Sequence, residues 1–134
     1  MSFVSINRLG VFTSQRVQTP PHAVIDAGDV KGFHELDRVV GKEEVVLKAA
    51  VCSDGRVFSL ARQLRKRGFV GTLILEANML PDQLPMAISC GVDQIVISGE
   101  HARRCTEPQW RMKAEEGRFG YQRATARSVS LGAS

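Results

Sequence analysis

Val45-Val46-Leu47-Lys48-Ala49-Ala50-Val51, then Ser53-Asp54-Gly55, then Arg56 through Gly68, and finally Thr72-Leu73-Ile74-Leu75-Glu76-Ala77 form the stretch that decides the fold class. Its two outer runs are aliphatic and rich in β-branched residues, as strands buried on both faces are. Between them Val57, Leu60, Ala61 and Leu64 fall at i, i+3, i+4 and i+7, a single stripe on an α-helix. Arg65, Lys66 and Arg67 complement the negative end of that helix, and Gly68 suits its left-handed closing position. A strand, a helix and a strand joined this tightly give a parallel pair with a right-handed crossover.

Working outward, the same unit recurs. Ala23-Val24-Ile25 precedes a helical pattern near Gly32 to Val40, with Phe33, Leu36, Val39 and Val40 apolar. After Ala77, a helix is expected over about Pro81 to Cys90, with Leu80, Leu84, Ala87 and Ile88 on one face and Gly91 at its close. Pro81 suits the first helical position, while Pro85 deletes a backbone bond and predicts a short or irregular first turn. Gln94-Ile95-Val96-Ile97-Ser98 reads as the fourth strand, and a last helix spans about Glu107 to Glu116. The expected fold is α/β, a four-stranded mainly parallel sheet built from repeated β-α units. It is either a half-barrel, with helices on one face, or doubly wound, with helices on both. A half-barrel leaves an apolar sheet face and calls for a homodimer.

Composition bounds what this architecture can do. A chain of 134 residues predicts one domain, and is too short for a complete α/β barrel of about 250 residues. Residues 1–22 read as an N-terminal extension, a short strand or hairpin closed by Thr19-Pro20-Pro21, residues 23–121 as the α/β domain, and residues 122–134 as a flexible basic tail. Residues 1–102 carry 11 basic and 11 acidic side chains, so the net charge of +4 arises entirely beyond them. The basic residues there are spaced rather than clustered, and only Trp110, Phe119 and Tyr121 could stack on bases, so nucleic-acid binding is not expected. Cys52, Cys90 and Cys105 form no CxxC pair and cannot supply four ligands to a cluster or a structural zinc. Neither GxGxxG nor GxxxxGK[ST] occurs, and no cofactor is expected. Met1 to Arg8 lacks the apolar region of a signal peptide, and no apolar run is long enough for a membrane span, which points to the cytoplasm.

Ligands of open parallel sheets bind beyond the carboxyl ends of the strands. That edge receives Asp26 and Asp29, Asp54 and Arg56, Glu76, Asn78, Asp82 and Gln83, and Glu100 and His101. Asp54 can orient Arg56 to grip an anion, or can simply satisfy backbone N–H groups where the helix starts. Asp82 likewise suits a first helical turn without any further role. Arg62 fits a solvated face unless it folds back to Asp54. His101 beside Glu100 could act as a base, yet no nucleophile stands at readable spacing. His34-Glu35 begins like a zinc-protease helix, but Arg38 stands where the second histidine is required. Cys52 is the one thiol placed to be reactive, with a buried structural role as the alternative.

The run Asp54-Gly55-Arg56-Val57-Phe58-Ser59-Leu60-Ala61-Arg62-Gln63-Leu64-Arg65-Lys66-Arg67-Gly68-Phe69, then Gly71, with Leu80-Pro81-Asp82-Gln83-Leu84 and Cys90-Gly91-Val92-Asp93, resembles bacterial domain-of-unknown-function family 934. Its members carry the label of probable oxidoreductases of sulfite reduction. The resemblance implies ligand-binding candidates at Asp54, Arg56, Ser59, Arg62, Asp82 and Gln83, and the sulfite reductase hemoprotein as a partner. The chain departs from the family pattern at Ala77-Asn78, where a Gly-Asp pair is expected. An oxidoreductase needs an electron carrier that these motifs do not provide. The expectation is therefore an accessory protein of assimilatory sulfite reduction, docking to the hemoprotein or binding a small anion. A small enzyme acting on sulfite or a phosphorylated metabolite, and a structural dimer without catalysis, are the alternatives.

Overall fold

A computed structural model describes residues 3–13, 23–28, 30–49 and 55–117. Its strands are β1 (Phe3–Asn7), β2 (Phe12–Thr13), β3 (Ala23–Asp26), β4 (Glu44–Lys48), β5 (Thr72–Glu76) and β6 (Gln94–Ser98). They form one six-stranded sheet in the order β2-β1-β6-β5-β4-β3. Strands β3 to β6 are mutually parallel, as their single-helix connections require. The four-stranded expectation is corrected by the N-terminus: β1 pairs antiparallel with β6, and β2 pairs antiparallel with β1. The short strand or hairpin expected in residues 1–22 thus joins the sheet, with Val4 and Ile6 set opposite Ile97 and Ile95 of β6. Asn7 closes this hairpin by accepting the N–H groups of Leu9 at 2.9 Å and Val11 at 3.1 Å on Oδ1.

The helices follow the sequence spacing closely. Phe33–Val39 is a 3-10 helix rather than an α-helix. Phe33, Leu36 and Val39 recur every third residue, which matches three residues per turn and aligns them on one face. Helix α1 spans Arg56–Lys66. Pro81–Gln83 forms one 3-10 turn before α2 (Leu84–Ser89), the irregular start that Pro85 imposes. Helix α3 (Gly99–Arg104) had no counterpart in the sequence reading, which treated Glu100 and His101 as loop. Ser98 ends β6 and also caps α3, its Oγ accepting the N–H of His101 at 3.1 Å, so one residue serves both elements. A last helix, α4, covers 107–117.

Side chains from every one of these helices join a single buried cluster with Ile25, Val45, Leu47, Leu73, Leu75, Ile95 and Ile97. All described helices therefore pack on one face of the sheet. This is what right-handed crossovers produce when strands are added in sequence order. Trp110 of α4 is fully buried there and donates its indole N–H to the carbonyl of Cys105 at 2.9 Å. On the opposite face Val46, Ile74 and Val96 form a second cluster, only 0%, 5% and 5% exposed. These three are already buried in a single chain, so their burial does not by itself call for a second copy.

The amino-terminal edge of the sheet is held by Arg65. Helix α1 ends in a left-handed Gly68 (φ +102°), where Gly68 N–H bonds Arg65 O at 3.1 Å and Phe69 N–H bonds Leu64 O at 3.2 Å. Helix α2 ends the same way, with Gly91 N–H on Ile88 O at 3.0 Å and Val92 N–H on Ala87 O at 3.1 Å. The Arg65 guanidinium joins the two endings. It donates to Phe69 O at 3.0 Å, Gly71 O at 2.9 Å and Gly91 O at 3.0 and 2.8 Å, and to Asp93 Oδ2 at 2.8 Å. Asp93 Oδ2 also accepts the N–H of Leu73 at 3.0 Å, which fixes the start of β5 against the start of β6. A Cβ on Gly91 would lie 2.6 Å from Arg65 Cγ, so glycine is needed for this approach as well as for the turn.

Arg65→Met leaves these carbonyls and Asp93 without their donor and is expected to lower unfolding free energy by about 3 kcal/mol. Arg65→Lys keeps the charge but cannot span the same acceptors, so most of the loss remains. Urea unfolding of both variants checks this, and wild-type stability in the lysine variant would contradict it. At the other side of the sheet, Glu35 Oε2 accepts the N–H groups of Lys31 at 2.5 Å and Gly32 at 3.2 Å. Those bonds hold its carboxyl below the usual glutamate range. The ionised form is thus favoured by folding, and its contribution is present at neutral pH and lost as pH falls through the lowered value. Glu35→Gln is expected to flatten the acid limb of a stability-versus-pH curve measured by urea unfolding.

Candidate functional site

At the carboxyl edge of the parallel strands, the polar residues are held by one another and by the backbone. Asp26 Oδ1 accepts the N–H of Gly28 at 2.9 Å, and Lys48 pairs with Glu76 across β4 and β5 at 3.3 Å. Asn78 Oδ1 accepts the N–H of Ser98 at 2.8 Å, tying the end of β5 to the end of β6. Asparagine is fully able to do this, which gives the departure at Ala77-Asn78 a structural role. His101 Nε2 lies 2.7 Å from the carbonyl of Met79, and a carbonyl only accepts, so the proton sits on Nε2. Glu100 pairs with Arg104 at 3.2 Å on the exposed side of α3.

Among the described residues, Arg56, Arg62, Asp82 and Gln83 make contacts to four different segments. Asp54 lies outside the described residues, as do Asp29 and Cys52. Arg56, at the first turn of α1, donates from Nη2 to the carbonyl of Val30. It thereby links α1 to the segment after β3. Ser59 is exposed on α1. Arg62 points to the other side, with Nη2 3.5 Å from Sγ of the buried Cys90 at the end of α2. Asp82 pairs with Lys113 of α4 at 3.1 Å. Lys113 also meets Glu116 at 3.1 Å, and the hydrogen bonds it donates to Glu116 and then to Asp82 raise its pKa above the usual lysine value. Gln83 Oε1 accepts the N–H of Leu80 at 2.9 Å and closes the 3-10 turn. Among the described residues no group of three His, Cys, Asp or Glu side chains could hold a metal ion.

A concavity among the described residues lies at the opposite end of the sheet. Because β1 runs antiparallel, Asn7 sits beside Gln94, and the turn after β1 falls at the amino-terminal edge. That turn, α2 and α4 enclose a groove of about 1180 Å³, lined by Leu9, Pro85, Ile88 and Met112, with Arg8 and Arg111 on its walls. Leu9 and Met112 are each 58% exposed, unusual for large apolar side chains placed so close together. No motif announced this groove, because it gathers residues from three distant segments. One signal was legible: Met112 lies two positions from both Trp110 and Ala114, off the buried face of its helix.

Fold and groove together define an open α/β protein with helices on one sheet face and a mixed apolar and basic surface groove. Residues 28–131 match the family described as bacterial protein of unknown function (DUF934), and the chain belongs to that family. No curated protein and no solved structure matches it.

Because Arg56 bonds a backbone carbonyl, Arg56→Ala is expected to cost about 1 kcal/mol of stability. Urea unfolding measures it, and an unchanged midpoint would mean that Arg56 serves something other than the α1 to β3 connection.

Proposed function

We propose that this chain is an accessory protein of assimilatory sulfite reduction that docks to the sulfite reductase hemoprotein and does no chemistry of its own. The groove between the β1–β2 turn, α2 and α4 carries this reading. It presents exposed Leu9 and Met112 beside Arg8 and Arg111, the combination of apolar anchor and charged rim that protein interfaces use. The candidate polar side chains elsewhere support it too. Among the described residues Arg56 contacts Val30, Arg62 Cys90, Asp82 Lys113 and Gln83 Leu80, contacts that tie the fold together in four places. The partner comes from the resemblance to proteins labelled for sulfite reduction.

The test is co-elution of the purified full chain with the hemoprotein on a sizing column at physiological salt. A stable complex is expected, and Met112→Asp is expected to weaken it at least about tenfold by placing an unpaired charge in the interface core. Turnover of sulfite or of a phosphorylated metabolite by the isolated chain, abolished by Arg56→Ala, would replace this reading with the small enzyme at the carboxyl edge.

A further inference from the structure

Resting on the accessory reading, we infer that the groove takes an amphipathic segment of the partner protein whose apolar anchors are flanked by aspartate or glutamate. Shape sets the first half of this. The walls are α2, α4 and a β-turn, and a concavity of about 1180 Å³ open to solvent exceeds what one small molecule fills, while it suits a helix laid along the groove. Met112 supplies an adaptable apolar contact, and Leu9 and Ile88 supply the opposing wall.

Charge sets the second half. Arg8 and Arg111 have no ion-pair partner among the described residues, whereas Lys113 next to them is already satisfied by Asp82 and Glu116. Glu115 also lines the groove, which leaves its wall with a positive excess. The two longest of the chain's own segments outside the described residues are the wrong sign for it. Residues 118–134 carry Arg118, Arg123 and Arg127 with no acid, and residues 14–22 carry Arg16 with no acid. A second copy seated symmetrically would set a groove of the same positive excess against this one. An acidic, apolar segment from a different protein meets both requirements.

The experiment uses the full chain with methyl-labelled methionine and a fluorescent synthetic helix bearing leucines at helical spacing and flanking glutamates. The expected result is saturable binding that shifts the Met112 methyl resonance, weakens about tenfold in Arg8→Glu/Arg111→Glu, and falls steeply with salt. Equal binding of the same helix with lysine in place of glutamate overturns the charge assignment. Binding that strengthens in a Phe119→Ala/Tyr121→Ala variant shows the chain's own tail as the occupant, and concentration-dependent dimerisation abolished by Met112→Asp shows a second copy. Either outcome overturns the proposal. Hemoprotein binding untouched by the double charge reversal removes the groove and leaves the accessory role. Capture of the glutamate helix without any hemoprotein binding upholds the groove and removes that role.

Discussion

The Arg65 guanidinium is the fixed point of this structure. It is satisfied almost wholly by main-chain carbonyls at the ends of α1 and α2, and Asp93 alone answers it with a charge. A parallel β-α sheet must bring each helix back to the amino-terminal edge and turn the chain sharply into the next strand. Each such turn exposes the last carbonyls of its helix. Turn N–H groups meet those carbonyls, Arg65 binds the carbonyls of the two turns themselves with one planar group, and Asp93 passes the constraint to the backbone of β5. The ring of Phe69, 5.1 Å below the guanidinium, completes the site.

That hub changes how the family-like motif is understood. Arg65, Gly68, Phe69, Gly71, Gly91 and Asp93 all belong to it, so the second half of the motif specifies a junction of the fold. In the first half, Arg56 links α1 to the segment after β3, and Arg62 bridges α1 and α2. A motif built of charged residues and glycines looks like chemistry from the sequence. Here the same residue types are what backbone carbonyls and left-handed turns require.

The α/β class, the four parallel strands and the α1 register were legible because apolar periodicity is strong there and tertiary contacts agree with it. A short N-terminal strand or hairpin was legible, but its place in the sheet was not, since β1 takes that place by pairing with β6 and β2 by pairing with β1. Helix α3 was hidden for a related reason, its cap being the last residue of a strand. At the polar carboxyl edge, Asp26, Asn78 and His101 are joined to nearby backbone and Glu76 to Lys48, contacts that residue type alone does not announce. The groove was illegible because three segments far apart in sequence meet only after β1 inserts antiparallel beside β6. Charge was partly legible: the basic excess beyond residue 102 was visible in the sequence, and Arg111 brings part of it to the groove wall.

If docking at the amino-terminal edge is the business of this fold, the surface that matters is the one opposite the usual ligand edge of parallel sheets. Hydrogen–deuterium exchange of the full chain, with and without the sulfite reductase hemoprotein, reads both edges in one measurement. Slowed exchange over residues 8–11, 85–89 and 108–115, with the carboxyl-edge segments 26–28, 77–80 and 98–101 unchanged, is the expected result. Slowed exchange confined to those carboxyl-edge segments would contradict it and return the chemistry to the other end of the sheet.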